Sequence, residues 1–147
     1  MCGICGIYNF DNTKVAEKDL NLMNQEMFLR GPDDSGIYQE ENFGLGMRRL
    51  SIIDIDNGHQ PMLSNDKSIV LVFNGEIYNY VELRKELISK NYQFVTNSDT
   101  EVLIYMYKEF GEDFLKKLNG MFSISLFDRK KKILIIARDR FGIKPLF

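Results

Sequence analysis

Two thiols stand within the first five residues of the chain, in Met1-Cys2-Gly3-Ile4-Cys5-Gly6-Ile7. Removal of Met1 by an aminopeptidase, expected where the next residue is small, would leave Cys2 carrying a thiol and a free α-amine on one residue. A thiol with pKa near ~8.5 is only slightly ionised at neutral pH, whereas an α-amine near ~7.7–8.0 is partly neutral there and can accept the thiol proton. Nucleophile and base then share one residue, as in enzymes built on an N-terminal threonine, and no separate histidine is required. Two other readings of the same residues stand beside this one. Cys2 and Cys5 have the C-x-x-C spacing of a redox pair, although such a pair follows a strand and opens a helix, and here Ile7-Tyr8-Asn9-Phe10 reads as strand. A structural zinc site falls a ligand short, with two Cys and one His in the whole chain. These seven residues leave the alternatives open.

Further along, a few other stretches carry candidate chemistry. His59, the single histidine, sits in a loop at Gly58-His59-Gln60-Pro61 and is more simply a surface or packing residue than a base for a distant cysteine. Asp54-Ile55-Asp56-Asn57-Gly58 resembles a calcium loop only faintly, because the glycine comes one place early and the twelfth position is Asn65 instead of Glu. Asn74-Gly75 closes the apolar run Ile69–Phe73 just ahead of a helical pattern, which delivers an amide side chain and a flexible N–H to a strand end where an oxyanion could be held. Ser98-Asp99-Thr100-Glu101 is explained by helix initiation alone, as a capping box with Asp99 in the first turn.

The elements that must position these groups can be read from periodicity. Strands are expected at Ile4–Phe10, Ile37–Gln39, Phe43–Ile53, Ile69–Phe73, Tyr92–Thr96, Phe122–Asp128 and Lys132–Arg138, the run Ile69–Phe73 being buried on both faces. Helices are expected over Ala16–Arg30, stopped by Gly31-Pro32, then after Asn74-Gly75 and from Ser98 to Gly111, with a short amphipathic piece at Phe114–Leu118. Arg129–Lys132 reads as a solvated hairpin tip. Many strands in hairpins with clustered helices favour two packed sheets with helices outside.

The 147 residues make one ordinary domain that buries its core without staples. A hydrophobic content of 44% with 27% charged residues and a net charge of −2 gives no reason to expect nucleic acid or a membrane as partner; small neutral or zwitterionic substrates fit better. Two cysteines form no disulfide framework, no basic-then-apolar leader precedes them, and no apolar run reaches the ~18 residues of a membrane span, so a cytoplasmic chain is expected.

Taken in order, Met1-Cys2-Gly3-Ile4, Arg30-Gly31-Pro32-Asp33, Arg49-Leu50-Ser51-Ile52-Ile53-Asp54, Gln60-Pro61, Phe73-Asn74-Gly75-Glu76-Ile77-Tyr78-Asn79, Ser98-Asp99-Thr100-Glu101, Asn119-Gly120-Met121-Phe122 and Ala137-Arg138-Asp139-Arg140-Phe141-Gly142-Ile143-Lys144-Pro145-Leu146 form a specific set. Over essentially its whole length the chain resembles the N-terminal glutaminase domain of glutamine-dependent asparagine synthetases, which are class II glutamine amidotransferases and N-terminal-nucleophile hydrolases. The resemblance implies an α+β fold, an αββα sandwich of two mostly antiparallel sheets flanked by helices. It also implies attack of Cys2 on the side-chain amide of L-glutamine to give a glutamyl thioester and ammonia.

Site roles follow from the same resemblance. Asn74 and Gly75 would hold the oxyanion. Arg49 would pair the substrate α-carboxylate and Asp99 its α-ammonium. Glu76 and the backbone of Leu50, Ser51, Ile52 and Ile53 would contact glutamine, and Arg30 would belong to a loop closing over the thioester. Leu29 stands where the family often has His, which removes any polar role at that position. The resemblance implies no metal or cofactor for this domain; ATP and Mg belong to a C-terminal synthetase domain that would receive the ammonia, whose Ser-Gly-Gly-x-Asp-Ser loop is not present here. It also allows a homodimer. Relatives that pass ammonia to sugars or other carboxylates, and a catalytically silent regulatory domain, remain alternatives.

Overall fold

A computed structural model describes residues 2–147; the processing expected of Met1 lies outside the described residues. The first sheet contains β1 (Gly3–Tyr8), β2 (Asp34–Glu40) and β3 (Phe43–Arg49) in the order β1-β3-β2, and the second contains β4 (Met62–Leu63), β5 (Ile69–Ile77), β6 (Gly120–Asp128) and β7 (Ile133–Arg138) in the order β4-β5-β6-β7. Every pairing is antiparallel. Helix α1 (Glu17–Glu26) lies on the outer face of the first sheet; α2 (Tyr80–Ser89) and α3 (Asp99–Phe110) cover the second, followed by a single turn, α4 (Phe114–Lys117). The layers run α, β, β, α, the expected sandwich.

Strand alternation decides which side chains enter which layer. Phe43, Leu45 and Met47 of β3 point between the sheets and meet Val70 and Val72 of β5 and Phe127 of β6. The rings of Phe43 and Phe127 stack there with centroids 4.3 Å apart. The alternate β3 residues, Gly44 and Gly46, face α1, where added Cβ atoms would come within 2.9 Å of Leu20 and 2.7 Å of the Cys5 sulfur. Small residues thus let α1 ride close to the sheet. On the far side Leu71, Phe73, Phe122, Ile124 and Leu126 pack under Leu83, Leu87, Val102, Leu103 and Met106 of α2 and α3. The middle of β5 is therefore buried on both faces, as its continuous apolar run predicts.

Several boundaries differ from the periodic reading. The first helix stops at Glu26 and tightens into a 3-10 turn at Phe28–Arg30, because Gly31 must pass against the end of β3, where a Cβ would run into the Arg48 carbonyl. Strand β3 ends at Arg49, not Ile53; the residues beyond it wrap around the Arg49 guanidinium. β5 continues past Asn74-Gly75 to Ile77, since β6 stays paired with it to Gly120. Residues 92–96 form no strand: the N–H groups of Val95 and Thr96 donate to the Glu101 carboxylate at 3.0 and 2.7 Å instead of to a neighbouring strand. The capping box is accordingly half formed. Ser98 accepts from Thr100 N–H at 3.1 Å, while Glu101 is spent on the incoming chain. Finally, the hairpin tip is not merely solvated, for Arg129 makes a two-pronged bond to Glu40 of β2 at 2.6 and 3.1 Å and ties the two sheets together.

Candidate active site

At one end of the layer between the sheets the apolar side chains give way to polar ones. Cys2 precedes β1 and packs at the margin of the inter-sheet core. Arg49 continues the inward-facing series of Phe43, Leu45 and Met47, and Asn74 that of Val70 and Val72. These three line a cavity of about 90 Å³, whose walls also include Leu50, Ile52 and Ile53 from the loop after β3, Gly75 and Glu76 from the end of β5, and Ser98, Asp99 and Thr100 from the start of α3.

The Cys2 sulfur accepts a hydrogen bond from the Leu50 N–H at 3.4 Å, and its S–H can donate to the Leu50 carbonyl at 3.6 Å. The Cys2 carbonyl accepts from Arg30 Nε at 3.1 Å, so the Cys2 backbone is held from the 3-10 turn that follows α1. Cys5 faces the other way, toward Gly46 and α1. Three residues along a strand is an odd step, so the two thiols enter opposite layers and do not form a pair.

Along the edge of β5 the backbone N–H groups of alternate residues project to the same side. Phe73 N–H donates to Gln60 Oε1 at 2.7 Å and Ile77 N–H to Asp99 Oδ2 at 3.2 Å. Both acceptors lie off the edge facing away from β6, where β4 has already ended. Gly75 stands between them, so its N–H points the same way, at the cavity. A side chain at Gly75 would collide with the Met121 carbonyl and the Phe122 Cα of β6, which makes glycine obligatory here. With the neighbouring N–H groups already bonded, the geometry leaves Gly75 N–H, next to the Asn74 side chain, as a preorganised donor for an oxyanion.

Arg49, 6% exposed, organises the loop that follows it. Its guanidinium donates to the carbonyls of Ile53, Asp54 and Ile55 at 2.7, 2.9 and 3.0 Å, and a Cβ on Gly58 would strike it. Among the described residues these bonds use three of its five N–H donors and leave two for a ligand. Asp54 then pins this loop to the entry of α3 by accepting from Asn97 N–H at 2.7 Å. Asp99 is 5% exposed, and burial pushes its carboxyl up to about 6, with the Glu76 charge adding to the effect and the Ile77 and Thr100 N–H groups opposing it. A carboxylate whose charge is disfavoured by burial is suited to receive an ammonium group.

Of the residues expected at the site, Cys2, Arg49, Leu50, Ile52, Ile53, Asn74, Gly75, Glu76 and Asp99 line this cavity. Ser51 does not; its N–H donates to Asp33 Oδ2 at 2.9 Å. Arg30 does not either, and lies along a larger, mainly apolar cleft of about 450 Å³ beside β1 and β7. His59 has an acidic partner after all, Asp34 at 2.7 Å, but it is not among the cavity residues. Gln60, Phe73, Ser98, Thr100, Met121 and Lys144 line the cavity without having been expected at the site, although all of them lie in the motifs that carry the resemblance. Lys144 is brought there by Asp139. Burial pushes the Asp139 carboxyl up, yet bonds from the N–H groups of Lys144, Ile143, Phe122 and Phe141 outweigh it and hold the group at about 2. That carboxylate folds the last residues of the motif back onto the site.

All 147 residues match the family described as "Glutamine amidotransferase domain". The chain is 47% identical over 150 residues to asparagine synthetase [glutamine-hydrolyzing] 1 of Bacillus subtilis and 44% identical over 149 residues to asparagine synthetase B [glutamine-hydrolyzing] of Escherichia coli. In each case all of this chain is covered, but only 24% and 26% of the relative; the chain spans about a quarter of the length of these curated relatives. Among solved structures, the allosteric regulatory enzyme of purine biosynthesis superposes with a TM-score of 0.81 at 22% identity, over 98% of this chain and 38% of that one. Glutamine phosphoribosylpyrophosphate amidotransferase from B. subtilis gives 0.73 at 21% identity, with the same coverage. These two likenesses establish a shared fold.

Proposed function

The chain belongs to the glutamine amidotransferase domain family, and from that premise we propose that it hydrolyses the side-chain amide of L-glutamine to L-glutamate and ammonia at Cys2. The α-amine of a processed Cys2 takes the thiol proton as sulfur bonds to the amide carbon. The oxyanion so formed is held by the Asn74 side chain and the Gly75 N–H. Collapse breaks the C–N bond, the amine returns its proton to the departing ammonia, and water then cleaves the thioester with the same amine as base. Arg49 receives the substrate carboxylate and ionised Asp99 its ammonium, so charge at both ends selects an amino acid.

The single observation that carries this reading is the β5 edge, where Gly75 N–H is left available between two bonded neighbours and faces the cavity holding the Cys2 thiol. Arg30, bonded to the Cys2 carbonyl, holds the nucleophile from outside the cavity. The test is intact-protein mass spectrometry after treatment with a glutamine-derived chloroketone or diazo-ketone: one adduct located on Cys2 is expected, and an adduct on Cys5 or none at all overturns the assignment.

For the longer protein, the likeness to glutamine-hydrolysing asparagine synthetases supports delivery of ammonia to a C-terminal synthetase domain that converts aspartate to asparagine with ATP and Mg. Aspartate-dependent consumption of ATP by the full-length protein, with glutamine as nitrogen source, tests that assignment. A sugar acceptor in place of aspartate would redirect it.

A further inference from the structure

Gln60 belongs to none of the roles assigned above, yet it is 4% exposed and lines the Cys2 cavity. Both ends of its carboxamide are engaged. Oε1 accepts the Phe73 N–H at 2.7 Å, and Nε2 donates to Thr100 Oγ1 at 3.3 Å. Phe73 immediately precedes the oxyanion pair Asn74-Gly75, and Thr100 immediately follows Asp99. One amide group therefore bridges the strand that presents the oxyanion donors and the helix end that presents the ammonium acceptor.

The fold explains why a side chain has this task. β4 pairs with β5 only through Met62–Leu71 and Leu63–Val70. The residue before Met62 is Pro61, so the Gln60 side chain occupies the next acceptor place along the β5 edge. The Gln60 main chain is itself seated against the first sheet, where a Cβ on Gly36 would meet its carbonyl. An apolar residue of similar size would fill the volume but strand the buried Phe73 N–H without an acceptor. We propose that Gln60 is a positioning residue that sets the placement of Asn74-Gly75 relative to Asp99. This rests on the glutamine reading above.

The two bonds make separable predictions. Gln60→Met removes both, so kcat for glutamine hydrolysis should fall about 10- to 100-fold as the oxyanion donors lose their placement, and KM should rise as well. Thr100→Val removes only the α3 arm, and should raise KM about three- to tenfold while kcat stays within about twofold. Thr100→Ser keeps the hydroxyl and should restore the KM. Thermal melts accompany each measurement. A lowered melting temperature with kcat and KM of Gln60→Met both within twofold of wild type would reduce Gln60 to a packing residue and overturn the proposal. Should Gln60→Met fail to fold, the Thr100 pair decides: equal KM for Val and Ser overturns it, and a rise confined to Val supports it. Wild-type protein with an unblocked Cys2 that releases no ammonia overturns the glutamine reading, and this inference falls with it; an active wild type beside unchanged variants overturns the inference alone.

Discussion

Cys2 and Cys5 are separated by two residues and live in different chemical worlds. The Cys2 sulfur sits at the polar end of the inter-sheet layer with a backbone N–H aimed at it. Cys5 enters the layer beneath α1, and burial pushes its thiol up to about 11 despite an opposing bond from Gly46. Sequence spacing therefore says little about whether two thiols cooperate until the element carrying them is known. On a helix, residues three apart share a face; on a strand they oppose each other. The contrast in surroundings follows from layer more than from local sequence, since each cysteine is followed by glycine and isoleucine.

The comparison can be broken most directly by deleting each sulfur in turn. Cys2→Ala should lower ammonia release from glutamine by about 10⁴-fold or more, and Cys5→Ser should keep it within about threefold; equal damage by both in folded proteins would return the redox reading. Blocking the amine comes next in size. A preparation that retains Met1 should be about 100- to 10,000-fold slower than one beginning at Cys2, because an amide nitrogen cannot act as base, and equal glutamate production by the two would remove the N-terminal-nucleophile mechanism. Alkylation sharpens the contrast without relying on turnover. At pH 8 a thiol near 11 is about 0.1% ionised, so Cys5 in the folded protein should react with iodoacetamide roughly 100-fold more slowly than free cysteine, as peptide mass mapping would reveal.

The smallest effect concerns Asp99, whose burial is used where that of Cys5 is inert. Asp99→Asn and Arg49→Ala should each raise the glutamine KM about tenfold with a lesser change in kcat. In the wild type KM should climb as pH falls through about 6, as the Asp99 carboxylate is protonated. Stability should move oppositely. The folded carboxyl titrates near 6 against 3.8 ordinarily, so between those values the folded state binds the extra proton and stability declines as pH rises, by about 3 kcal/mol once pH 7 is reached. Asp99→Asn should therefore melt higher than wild type at pH 7 and no higher at pH 3; a lower melting point at pH 7 would mean that the charge is paid for by contacts not accounted for.

What could be read in advance depended on whether the cause was local. The run Ile69–Phe73 announces a doubly buried strand because its neighbours on both faces demand apolar side chains, and the family motifs bring nine of the expected site residues to one cavity. The residues 92–96 mislead, because their backbone donors are claimed by the Glu101 carboxylate, a contact no periodicity encodes. Asn74-Gly75 resembles a strand end, while its true reason is cross-strand: Gly75 faces the β6 backbone at Phe122, and Gly120 faces Ile77. Gln60 gives no periodic signal at all, since its two partners lie 13 and 40 residues away.

An unpaired strand edge is ordinarily a template on which a second chain can add by main-chain pairing. Beyond β4, the margin of β5 away from β6 has no strand paired to it, and a strand placed there would cover the donor at Gly75. Gln60 and Asp99 resolve the conflict by taking the N–H groups on either side. An isolated donor flanked by occupied ones offers no register for an incoming strand, yet stays accessible to a single oxygen atom. The same two side chains that frame the site thus take the place of a neighbouring strand along this margin.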